Sequence, residues 1–64
     1  MSAASFYNQN AIAERSAARQ ESLPKRRQQR ERSAERWEEM ARAAEETERR
    51  TAINEAQKRA RELS

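Results

Sequence analysis

Apolar positions recur through the second half of this chain at Ala34, Trp37, Ala41, Ala44, Ala52, Ala56, Ala60 and Leu63, with one gap at Glu48. The 29 residue steps from Ala34 to Leu63 make eight turns at about 3.6 residues per turn, the period of a straight α-helix. A leucine-zipper seam would repeat every ~3.5 residues and force supercoiling. The stripe therefore predicts one short, flat contact, and its many Ala residues let another backbone come close. Nearer the N-terminus, Ala4, Tyr7, Ala11 and Ala18 share a second helical face, with Phe6 and Ile12 beside it.

Ser22-Leu23-Pro24 separates the two patterns. Pro24 has no backbone donor and disfavours helix at Leu23, so a first helix should stop near Gln20–Ser22. The same proline suits the first turn of a new helix. The reading is all-α. A short N-terminal helix runs from about Ala4 to Glu21, capped by Ser2 or Ser5, and one long helix runs from about Pro24 to Glu62. That helix would span roughly 57 Å. Residues 1–22 form the N-terminal helical segment and 23–64 the long charged helix, arranged either as an extended chain or as a helical hairpin. In the hairpin, Phe6-Tyr7 packs back around Trp37 or Met40; in the extended form the pair inserts into a partner's pocket.

Composition explains why a partner matters. Ala, Glu, Lys, Leu and Arg supply 40 of the 64 residues, so helix propensity is high. Leu, Ile, Val and Phe together supply only five, too few for a self-sufficient globule at this length. Glu38–Arg42, Glu45–Arg49, Glu46–Arg50 and Glu55–Arg59 place Glu four residues before Arg, worth about 0.2–0.5 kcal/mol each to a helix. The chain is helix-prone and core-poor, which describes a helix stabilised by docking.

The residue types narrow the chemistry further. There is no Cys, His or Asp, which removes disulfides, thiolate chemistry, the common zinc sites and the usual near-neutral general base. Catalysis also needs a pocket that excludes water, so no catalytic residue, cofactor, metal or small-molecule substrate is expected. Glu38/Glu39 and Glu45/Glu46 read as surface charge rather than cation ligands. The longest wholly apolar run is Ala11-Ile12-Ala13, far short of a signal-peptide core or a membrane span. Bulky lipid-facing groups are scarce, and a membrane-surface helix is disfavoured. A soluble intracellular or particle-associated protein is the expectation.

The net charge of +3 hides alternating blocks. Residues 1–24 sum to zero, 25–37 to +4, 38–48 to −4 and 49–64 to +3. Such blocks suit a partner with complementary patches, or antiparallel pairing with a second copy. The segment Glu14–Glu21 also recurs seventeen residues later as Glu31–Glu38, both reading E-R-S-A-x-R-x-E, which would mean two similar docking sites.

Two functional readings follow. In the first, the chain is a non-enzymatic helical assembly protein laid along a larger complex, a virus particle or another multi-subunit machine, or along itself. The side chains expected to carry partner binding are Phe6, Tyr7, Ile12, Trp37, Met40, Ala44 and Ile53. In the second, Lys25, Arg26, Arg27, Arg30, Arg32 and Arg36, closed by Trp37, bind RNA or DNA. Arg forks onto phosphates and Trp offers a stacking platform. The run Arg30-Glu31-Arg32-Ser33-Ala34-Glu35-Arg36-Trp37 resembles the arginine-rich motif of lambdoid phage antitermination proteins, which implies a hairpin RNA read by an Arg-rich helix and a stacking aromatic. The Glu residues that follow Trp37 would oppose a phosphate backbone. Pro24-Lys25-Arg26-Arg27 also resembles a nuclear-import patch, and Arg30 and Arg32 ahead of Ser33 suit a basophilic kinase.

Overall fold

A computed structural model describes residues 2–63 as two helices, α1 (Ala3–Gln20) and α2 (Pro24–Leu63). Ser2 is the cap of α1: its side chain accepts from the Ser5 N–H at 3.1 Å. Ser5 is thus the capped residue and not the cap. The helix ends where Glu21 turns extended, at φ −81° and ψ 125°, with its N–H donating to the Ala18 carbonyl. Pro24 then opens α2 as its constrained φ allows, and the first donor that α2 can use is the Arg27 N–H, which reaches the Leu23 carbonyl at 2.9 Å. The Arg27 guanidinium also reaches back to the Glu21 carbonyl at 3.0 and 3.3 Å, tying the turn shut.

The helices fold back as an antiparallel hairpin. Arg15 pairs with Glu38, Asn8 with Glu45, and the Ala4 N–H with Glu48, so positions successively earlier in α1 meet positions successively later in α2. The hairpin form, with Phe6 and Tyr7 against Trp37, is the arrangement observed. Among the described residues its core consists of alanines alone: Ala4, Ala11 and Ala18 from α1, Ala34 and Ala41 from α2. These lie seven residues apart on each helix, which keeps them on one seam. A methyl is the largest group this seam admits, because the backbones lie close.

The contact is short because α1 is short, and its buried alanines repeat every seven residues, the seam spacing that the straight-helix stripe argued against. With 18 residues, α1 extends only about 27 Å. The 40 residues of α2 run about 60 Å, close to the 62 Å long axis of the molecule. The N-terminus of α1 falls beside Glu48, and residues 49–63 extend past it with every side chain exposed. The result is a rod. Its radius of gyration is 17.3 Å, against about 10.6 Å for a compact domain of this length.

Candidate interaction surface

The rod has two flanks of different character. On one, Arg15 makes a two-point contact with Glu38, 2.8 and 3.2 Å, and the Asn8 amide donates to Glu45 at 3.1 Å. Both acidic partners are drawn across the hairpin, away from the Arg42 and Arg49 that local spacing offers them. A two-point fork from Arg is stronger than a single exposed i,i+4 contact. Glu46 keeps the local pattern, with Arg50 at 3.1 Å, and takes Arg49 as well at 2.9 Å. Between the two flanks, Glu48 lies 3.5 Å from the Ala4 N–H and borders the groove beside Tyr7. It thus brings a carboxylate to the first turn of α1, which has no acidic residue of its own and favours negative charge there.

The hydrogen bond from Arg15, reinforced by its charge, holds the Glu38 carboxyl below the usual carboxylate range, and partial burial opposes this only in part. A carboxylate with a lowered pKa stabilises the fold above its unfolded pKa and loses that contribution as pH falls through its folded value. The hairpin should therefore hold its melting midpoint from neutral pH down to about 5 and lose midpoint below about 4. Glu38→Gln should lower the midpoint at pH 7 and show a shallower acid-side fall, the two proteins converging near pH 2. Parallel pH profiles for the two proteins would show that this pair contributes nothing.

The opposite flank carries the aromatic groups. Trp37 lies edge-on to Phe6, with ring centroids 6.0 Å apart, and 5.9 Å from Tyr7; Phe6 and Tyr7 are themselves 5.8 Å apart. Beside this cluster, Tyr7, Met40, Ala43, Ala44 and Thr47 line a shallow apolar groove. Ser33, Trp37, Met40 and Ala44 follow one another at spacings of four, three and four, so they share one face of α2. The cluster is only half covered: Phe6 remains 48% and Met40 39% exposed.

Of the seven side chains expected to bind a partner, five gather here: Phe6, Tyr7, Trp37, Met40 and Ala44. Ile12 does not join them. It is five residues from Tyr7, about 140° around the helix, and stands 67% exposed. Ile53 lies on the unaccompanied part of α2.

The basic side chains Lys25, Arg26, Arg27, Arg30, Arg32 and Arg36 crowd the turn end of the rod, and all are exposed. Arg30 reaches Glu14 across the hairpin at 3.3 Å. Trp37, the expected stacking platform for this block, has its ring against Phe6 and Tyr7. Among the described residues, no group of three or more acidic side chains gathers as metal ligands, and no helix is long and apolar enough to cross a membrane. Comparison with known proteins finds no matching family model, curated protein or solved structure.

Proposed function

We propose that this chain is a non-enzymatic helical assembly protein, which docks as a rod along a larger macromolecular complex. One observation carries the reading. The buried core is five alanines, while Phe6, Ile12, Leu23, Met40, Ile53 and Leu63 stay 39–89% exposed. A chain with so few bulky groups gains most from hydrophobic burial if they are covered, and folding alone leaves them in water. The second half of α2 argues the same way: residues 49–63 extend past the end of α1 with their side chains exposed, so little burial offsets the entropy of ordering them. A subunit of a multi-protein particle, a virion among them, is the setting that suits such a rod.

Capture of the tagged chain from its native source, with and without nuclease, tests this. A stoichiometric protein complex that survives nuclease is expected. Release of every companion on nuclease treatment would contradict it.

The second reading, an RNA- or DNA-binding regulator, is favoured by one feature: the exposed basic cluster at the turn. In that case replacing Arg26, Arg27 and Arg30 with Ala should abolish binding and flatten its salt dependence. The assembly reading expects weak, sequence-blind binding that fades by physiological salt. A tight complex with one hairpin RNA at that salt would reverse the order of the two readings.

A further inference from the structure

The flank that carries the aromatic cluster also lies where the charge of the chain changes sign. Residues 25–37 sum to +4 and residues 38–48 to −4, and Trp37 and Met40 straddle that boundary. Along this face of α2, Arg26 and Arg30 lie at one end and Glu48 at the other, with Ser33, Trp37, Met40 and Ala44 between them. The spacings, 4, 3, 4, 3, 4 and 4, keep all seven on one stripe. A pattern that is basic, then apolar, then acidic is its own complement when turned end for end.

We propose that the occupant of this face is a second copy of the same chain, packed antiparallel about a two-fold axis between Trp37 and Met40. The inference rests on the assembly reading and names the partner at this surface. In this register Trp37 of each copy faces Met40 of the other, and Ser33 faces Ala44. Arg26 and Arg30 of one copy bracket Glu48 of its mate. A two-fold interface repeats each contact, so both aromatic clusters and both sets of Arg26, Arg30 and Glu48 are used at once. A parallel arrangement would set Arg26 and Arg30 against their own copies and Glu48 against its own, which charge repulsion opposes. The groove beside Tyr7, lined by Met40, Ala43 and Ala44, receives the bulky side chains of the mate. A typical stable interface needs about 800 Å² from each partner, some 15% of the 5392 Å² that this rod exposes. The flank between Arg26 and Glu48 is long enough to supply it.

The test uses the purified full chain, which has no cysteine of its own. Sedimentation over a concentration series should show a monomer of 7.5 kDa passing to a dimer and no further. Chains carrying Ser33→Cys and Ala44→Cys, mixed and oxidised, should give the mixed disulfide several-fold over either homodisulfide. Both substitutions change little volume, so the hairpin is preserved. Met40→Ala, at an exposed position outside the alanine seam, should weaken dimerisation about tenfold while helicity holds.

A monomer at every concentration, open-ended oligomers, or homodisulfides formed as readily as the mixed one would each overturn the proposal. A chain that stays monomeric yet enters a nuclease-resistant complex from its source would assign this face to another protein and leave the assembly reading intact. A dimer in the stated register with no larger complex would do the reverse.

Discussion

Replacing Ala34 with Leu should open the hairpin. Ala34 is 0% exposed and Ala41 2%, and facing them are Ala11 and Ala18, so the seam has no room for three more carbons. Overpacking a tight contact costs about 1–3 kcal/mol. A loss of about 2 kcal/mol is roughly a 30-fold shift in a folding equilibrium, large against a core made of five methyl groups. The helices themselves should survive, because Leu is a good helix former. The expected result is thus specific: far-UV circular dichroism nearly unchanged, Trp37 fluorescence shifted to the red, and the near-UV signal of the aromatic cluster lost. Ala52→Leu, at an exposed position on the stretch of α2 beyond α1, serves as the control and should change none of these. Equal effects from the two substitutions would mean that the alanine seam does not hold the helices together.

The second large effect is expected at Trp37. Its ring meets both Phe6 and Tyr7 at about 6 Å, and each such pair adds about 0.5–1.5 kcal/mol beyond the area buried. The same ring borders the surface on which a partner would sit. Hot spots concentrate in aromatics of this kind, so Trp37→Ala should weaken incorporation into the native complex by about 2 kcal/mol or more. Arg42 is exposed, and Arg42→Ala should cost under ~0.5 kcal/mol. Trp37→Phe should recover much of the loss, since it keeps a ring in the cluster. If Trp37→Ala and Arg42→Ala cost the same, charge dominates the contact and nucleic acid becomes the better partner.

These two residues also show what could be read before the fold was known. The break at Ser22–Pro24 and the helix limits were legible to within a residue, because they follow from what Pro24 and Ser2 do locally. The alanine stripe was legible as a close-packing face, but its partner was not. Ala34 and Ala41 find α1, whereas Ala52, Ala56 and Ala60 continue the same stripe past the point where α1 has any residue left to meet them. Periodicity records a face and not the length of what covers it.

The ion pairs divide in the same way. Local spacing assigns Glu38 to Arg42, but only the folded-back chain brings Arg15 within 2.8 Å of Glu38. Among the candidate binding residues, Phe6 and Trp37 are thirty-one positions apart and meet only because the turn places them together. Ile12, close to Tyr7 in sequence, lies well around the helix from it. Bulk and hydrophobicity chose the candidates, and hairpin geometry decided which of them form one surface.

The most direct test of the central claim, that this chain needs a partner to become fully ordered, is a thermal melt of the purified chain followed by circular dichroism. It should be run at two concentrations about a hundredfold apart. A core of alanines and a long unaccompanied stretch of α2 predict partial helicity and a broad melt in the dilute sample. At high concentration, where association contributes by mass action, the midpoint should rise and the transition sharpen. A sharp melt of a monomer, with the same midpoint at both concentrations, would contradict the claim.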